Sequence, residues 1–300
     1  THGRCPALAS EWGLEYFQKL QALFEQAGFD LLEHDGSYPG DVDVTSRPPL
    51  QTGIQDSRWV QWRIISDFYK WLRARGTYMN VPDFYFLAGS NKCGMGYRET
   101  NWSLPRAQQL IHTRQNIYDG TWTRTPSMGW MFVPLTVYHG GGDAATIEPL
   151  DQHLDHYEAM INSNLGLGVQ ACYRGPRLFD TERTKAMIKG RVEWYKKYRD
   201  ILESDVVHGR RADGRDLDWM LHVNPKLKNK GLLAVYNPTD HPIRKTIRVS
   251  LYYTGIKRRA QFHVEDGAVK SLSLDDHDRA TIDVTVPAQG FEYYLFQPES

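Results

Sequence analysis

Through residue 205 the chain alternates between two periodicities, and no other feature restricts its fold as much. Segment 10–28 places Phe17, Leu20 and Phe24 at helical spacing before Gly28, a residue suited to a helix end. A short apolar run at 29–34 follows and ends in the turn formers Asp35-Gly36-Ser37-Tyr38-Pro39-Gly40. Segment 58–75 repeats the pattern, with Trp62, Ile65, Phe68 and Leu72 three or four apart, then Gly76 and a run at 78–81. A third cycle opens a helix at Ser103-Leu104-Pro105, with Pro in the first turn, and reaches an apolar run at 128–135. A fourth passes through Gly140-Gly141-Gly142, a helix at 150–162 and a run at 166–173. A last helix at 181–203 aligns Val192, Tyr195, Tyr198 and Leu202 and turns its Lys and Arg to solvent. Repeated helix and strand units imply a parallel sheet covered by helices, as in a (β/α) barrel or a doubly wound fold, with function on the loops after the strands.

Beyond residue 205 the pattern becomes all-β. Runs at 219–223, 232–236, 243–253, 260–264, 271–274, 280–286 and 291–296 are separated by Asn237-Pro238, Asp240-His241-Pro242, Asp266-Gly267 and Asp275-Asp276. The expected organisation is a (β/α) barrel portion over 1–205 and an antiparallel β-sandwich over 206–300. About five strand positions precede the sandwich, so the first strands of a closed barrel would lie upstream of Thr1. The chain opens without Met, and no signal peptide can be read at this end.

Charge and composition narrow the partners. Lys+Arg and Asp+Glu both number 36, whereas a nucleic-acid surface needs a cationic excess. Mean hydropathy is −0.56, and no apolar run has the length of a membrane span. Cys5, Cys93 and Cys172 are odd in number and far apart, which argues against a disulfide framework, a CxxC pair or structural zinc. No cofactor and no metal are expected. Nine Trp and 17 Tyr supply flat rings of the kind that stack on sugar faces.

Three loops could carry chemistry. Glu33-His34-Asp35 stands where a barrel strand would end. Alternation lets Asp35 head the interior with Glu33 beneath it, and Tyr38 and Asp41 share the loop. Alternatively, Asp35 only opens an Asx turn. The second loop, about twenty residues long, contains Tyr97-Arg98-Glu99-Thr100-Asn101-Trp102, and a loop of that length in a compact domain is usually functional. Glu99 is its acid, Arg98 a tuning cation, and Tyr97 and Trp102 its rings. A surface ion pair of Arg98 with a packed Trp102 explains the same residues. Asn101-Trp102-Ser103 also matches a glycosylation acceptor, a pattern frequent by chance. A glycosidase needs two carboxyls about 5 to 5.5 Å apart for retention and wider for inversion. Asp35 and Glu99, on neighbouring parallel strands, could supply them.

The third loop, Tyr138-His139-Gly140-Gly141-Gly142-Asp143, resembles an esterase oxyanion loop, but the chain has no GxSxG elbow. His139 and Asp143 are better read as hydroxyl ligands, with Asp143 the rival of Glu99 as proton donor. Trp130 fits either core or stacking platform, and Arg174, just past the run at 166–173, could clamp substrate. Gly166-Leu167-Gly168 precedes a strand where a dinucleotide motif would follow one.

Three passages carry a family resemblance: Leu31-Leu32-Glu33-His34-Asp35-Gly36, Val192-Glu193-Trp194-Tyr195-Lys196-Lys197-Tyr198-Arg199, and Asp218-Trp219 continuing to Gly231-Leu232-Leu233-Ala234-Val235-Tyr236-Asn237-Pro238. With these the chain resembles the C-terminal part of a melibiase-like retaining glycoside hydrolase of the α-galactosidase and α-N-acetylgalactosaminidase superfamily. The resemblance implies a barrel followed by a sandwich, an Asp nucleophile at Asp35, an oligo- or polysaccharide substrate and a periplasmic or extracellular location. Two departures stand out. Glu33 occupies a position where these enzymes usually have Lys, and the Arg-x-x-x-Asp pattern of their acid/base is missing from the matching loops. An Asp nucleophile with a Glu acid/base, as in relatives similar to endo-acting α-N-acetylgalactosaminidases, fits Asp35 and Glu99 better. The reading from another class is a non-catalytic carbohydrate-binding or scaffold protein on a decayed barrel.

Overall fold

The computed structural model describes residues 6–34, 42–80, 103–122, 130–137, 141–264 and 267–299. The chain divides into two compact units, Thr1–Tyr97 and Arg98–Ser300.

In the first unit, helix α1 (Glu11–Ala27) is capped at both ends by its own sequence. The Ser10 side chain accepts from the Gly13 amide at 3.2 Å, and Gly28 takes the left-handed conformation that lets its N–H return to the Phe24 carbonyl. Strand β1 (Leu31–Glu33), helix α2 (Ser57–Ala74) and strand β2 (Tyr78–Asn80) follow. β1 and β2 pair in parallel, with Leu31 opposite Tyr78 and Glu33 opposite Asn80. Phe17, Ile65, Phe68, Tyr69, Leu72 and Met79 form the core between the helices and the strands.

The second unit begins with α3 (Arg106–Gly120), β3 (Trp130–Pro134), the short α4 (Gly142–Ala145), α5 (Leu154–Leu165), β4 (Gln170–Arg174) and α6 (Glu182–Leu202). β3 and β4 pair in parallel from Trp130 opposite Gln170 to Pro134 opposite Arg174. Pro105 occupies the N-cap of α3, one place before the expected first turn, and α5 starts later than expected because 150–153 form turns. α6 opens with a capping box in which Thr181 and Thr184 satisfy each other's backbone amides. Its buried face is Trp194, Tyr198, Ile201 and Leu202, whereas Val192 is exposed. The Trp194 ring sits 5.2 Å from that of Tyr293 and 5.6 Å from that of Phe291, and this contact sets the helix rotation.

After α6 the chain is antiparallel. β5 (Asp205–Arg210), β6 (Asp218–Val223), β7 (Gly231–Tyr236), β9 (Arg259–His263), β10 (Lys270–Ser273) and β12 (Phe291–Pro298) form a six-stranded sheet ordered β10-β9-β12-β7-β6-β5. β8 (Ile243–Ser250) and β11 (Arg279–Val286) pair as a two-stranded layer. The apolar run at 243–253 breaks after Ser250 into a 3-10 turn, Tyr252–Thr254. β5 was not anticipated, because Gly209 and a register shift between His208 and Arg210 interrupt its alternation.

Period-two alternation gives the large sheet two apolar faces. Leu221, Val223, Leu233, Val235, Tyr294 and Phe296 pack against Ile247 and Val249 of β8 and Ala280, Ile282, Val284 and Val286 of β11. Met220, Leu232, Ala234, Tyr236, Tyr293 and Leu295 face the other way, onto Tyr157, Met160 and Ile161 of α5 and Trp194, Tyr198, Ile201 and Leu202 of α6. All six residues of β7 are buried.

A buried ion pair and a buried histidine lie inside this helix-sheet layer. Arg114 of α3 grips Asp218 of β6 with two hydrogen bonds, Nε to Oδ1 at 2.8 Å and Nη2 to Oδ2 at 3.0 Å, and both side chains are 5% exposed. The guanidinium also donates to Ser163 Oγ at 3.1 Å and lies 4.8 Å from the centre of the Tyr236 ring. Burial pushes the Asp218 pKa up while Arg114 pulls it down, and the bidentate geometry is that of a charged pair. His222, fully buried, bonds through Nε2 to the Gly166 carbonyl at 3.0 Å, and burial depresses its pKa to about 4.

Breaking a buried pair leaves an uncompensated charge, so Asp218→Asn should lower the unfolding free energy in urea by about 3–5 kcal/mol, while Arg114→Met with Asp218→Leu should recover most of that. A cost for Asp218→Asn below about 1 kcal/mol would show that the pair is not holding α3 to β6. The pH dependence follows from His222. Unfolded histidine takes up its proton near pH 6.5, but the folded ring resists until about 4. The unfolded state therefore binds more protons in that window, and His222 by itself lowers stability by about 3 kcal/mol as pH drops from 7 to 4. Urea midpoints should fall across that range, and His222→Gln should remove the share of the decline that His222 contributes.

Candidate active site

In a parallel arrangement covered by helices, side chains that meet a ligand sit at the carboxyl ends of strands and on the loops that leave them. In the first unit, the register of β1 on β2 makes Glu33 and Asn80 neighbours at such an end. In the sequence Asp35, Tyr38 and Asp41 follow β1 and Arg98, Glu99 and Trp102 follow β2; all six lie outside the described residues, as does His139. The described structure stops at His34, directly after β1. Its Nδ1 shares a 2.7 Å hydrogen bond with the hydroxyl of Tyr69, a fully buried residue of α2, and the two rings meet edge to face. A residue expected to contact sugar is thereby held from behind by the core.

Tyr69 was missed as a positioning group. It belongs to the helical period that reveals Ile65, Phe68 and Leu72, so the sequence marks it as core but does not show that its hydroxyl is spent on His34.

In the second unit the backbone of Trp130 opens β3, and Arg174 closes β4. The Arg174 carbonyl accepts from the Leu135 amide at 2.9 Å, so the chain leaving β3 stays against the end of β4. Asp143 lies exposed in the first turn of α4. Its carbonyl and that of Thr146 both accept from Arg106 Nη1, while Gln109 Nε2 donates to the Ala145 carbonyl at 2.8 Å. Two residues of α3 thus fix the backbone that presents Asp143. Gly141 is required at the entry, since its φ is +80° and a Cβ there would lie 2.8 Å from the Ser103 backbone.

Hence β1 and β2 share one carboxyl edge, with His34 beside it, and β3 and β4 share another, with Arg174 at its end. Among the described residues no group of three or more His, Cys, Asp or Glu could hold a metal ion, and no helix is long and apolar enough to cross a membrane.

No family model matches the chain, and no curated protein matches it. Solved structures do. A GH36 α-galactosidase from Geobacillus stearothermophilus in complex with stachyose aligns over 97% of this chain and 39% of its own at 10% identity, with a TM-score of 0.65. A GH27 β-L-arabinopyranosidase from the same organism, in complex with arabinose, covers 95% of this chain and 62% of its own at 11% identity, with a TM-score of 0.53. A candidate α-N-acetylgalactosaminidase from Bacillus halodurans covers 97% and 63% at 16% identity, with a TM-score of 0.50. The chain spans less than two thirds of the length of each. The fold is similar to that of these glycoside hydrolase structures, and the parallel strands among the described residues form two separate pairs, β1–β2 and β3–β4, rather than the expected barrel.

Proposed function

We propose that the protein is a retaining glycoside hydrolase acting on an α-linked galactose-type sugar, with 1–205 as a portion of its (β/α) barrel and 206–300 as a β-sandwich. The observation that supports this reading is the parallel pairing of Glu33 with Asn80, because Asp35 and Glu99 follow these two paired strands in the sequence. The fold likeness to α-galactosidase and arabinopyranosidase structures supports the same class of reaction.

In this reading the Asp35 carboxylate attacks the anomeric carbon while the Glu99 carboxyl protonates the departing oxygen. Glu99 then takes a proton from water, which attacks the glycosyl ester and frees Asp35. His34, Tyr38, Asp41, Arg98, His139, Asp143 and Arg174 bind hydroxyls, with Trp102 and Trp130 as stacking rings. His34 suits this role because its bond to Tyr69 fixes the ring before substrate arrives, so little rotamer freedom is lost on binding. Asp143 is the alternative acid. The substrate is an oligo- or polysaccharide met outside the cytoplasm, and no cofactor takes part.

The test is a panel of 4-nitrophenyl glycosides with acid and nucleophile variants. Asp35→Ala should cut turnover of the α-galactoside by about a thousandfold or more. Azide should restore it by attacking the anomeric carbon in place of Asp35, expelling nitrophenolate and giving a galactosyl azide of inverted configuration. Glu99→Ala should spare nitrophenyl substrates, whose leaving group needs no proton, and lose oligosaccharides. The same signature in Asp143→Ala instead would transfer the acid role. Near-native turnover by Asp35→Ala would remove it as nucleophile.

A further inference from the structure

The second unit contains a cavity of about 210 Å³ between α3, α5 and the sandwich loops that follow β7 and β11. At about 30 Å³ per water this equals roughly seven waters, the scale of one sugar ring rather than two. Its rim is held firmly. The Gln289 amide donates to the Thr239 carbonyl at 2.8 Å, and Asn237 Nδ2 donates to the carbonyls of His241, Val286 and Pro287.

The lining combines an apolar wall with polar groups left unspent. Phe291 contributes a ring. Asn162 is only 7% exposed, and its side-chain amide makes no hydrogen bond among the described residues, although its backbone carbonyl accepts from Tyr236. His156 Nε2 is buried without a partner. A buried imidazole nitrogen left in this state is costly, and a guest carrying hydroxyls would offset that cost. An amide offers one acceptor and two donors, the complement of adjacent hydroxyls, each of which can donate and accept.

Charge indicates which guest. Arg106 and Asp155 on the rim oppose each other, and Arg114 is matched by Asp218. Burial, with help from Arg106 and His153, depresses the His156 pKa to about 3, so the ring is neutral at physiological pH. The wall therefore presents no excess of either sign to attract an ion.

We propose that this cavity is a second ligand site, for a neutral monosaccharide, held by the Asn162 amide and His156 against the Phe291 ring. The inference stands apart from the glycosidase reading, because none of the groups it uses is assigned a role in that reaction.

The test follows the side-chain amide signals of Asn162 and Gln289 by nitrogen-15 NMR during titration with galactose, glucose, mannose and N-acetylgalactosamine. Asp35→Ala is included so that no sugar can be turned over during the titration, and the place of binding is read from the Asn162 and Gln289 signals and from the cavity-filling variant. At least one sugar should shift both signals saturably, equally well in wild type and Asp35→Ala. Ala107→Trp, which fills the cavity from an exposed helix position, should weaken that response at least tenfold while leaving the rest of the spectrum folded. No saturable shift with any of the four sugars, or a shift that Ala107→Trp leaves unchanged, would overturn the proposal.

Discussion

Every residue of Gly231–Tyr236 is buried, so β7 and its neighbours must be covered on both sides. An ordinary sandwich strand leaves one face to water and can stand alone with its partner layer. Here the second face carries Met220, Leu232, Ala234, Tyr236, Tyr293 and Leu295, and these residues complete the core of α5 and α6. Fully burying a Leu or Phe side chain stabilises by about 1.5–3 kcal/mol, and neither helix layer nor sheet can realise that gain without the other. The helical part of the second unit and the strands after it are therefore one folding problem, although the sequence changes character at residue 205.

The Arg114–Asp218 pair fixes how the two layers are aligned. Apolar contacts tolerate sliding, but a bidentate guanidinium–carboxylate pair does not, and burial makes every misaligned state costly. Tyr236 serves three neighbours at once. Its ring lies beneath the Arg114 guanidinium, its hydroxyl donates to the Asn162 carbonyl at 2.9 Å, and it lines the cavity. Gly166 is needed beside it, since a Cβ there would come within 2.3 Å of that hydroxyl.

The elements that could be read from the sequence are those whose signal is local. Ser10 and Gly28 mark the ends of α1, and the unbroken apolar run of β7 announces a strand buried on both faces. What escaped depends on partners far along the chain. Asp218 sits 104 positions from Arg114, and nothing near either residue reveals the other. The rotation of α6 is decided by Phe291 and Tyr293, which draw in Trp194 and leave Val192 outside. At the candidate site, His34 directly follows β1 and Arg174 closes β4. Tyr69, which orients His34, escaped because its ring satisfies the helical pattern and conceals the use of its hydroxyl.

The proposed double displacement at the anomeric carbon is tested most directly by its stereochemistry. Time-resolved proton NMR of a 4-nitrophenyl α-galactoside with the folded protein should show the α-anomer of galactose first, with the β-anomer appearing only by mutarotation. Initial release of the β-anomer would contradict the proposed nucleophile, and hydrolysis confined to β-glycosides would contradict the substrate class.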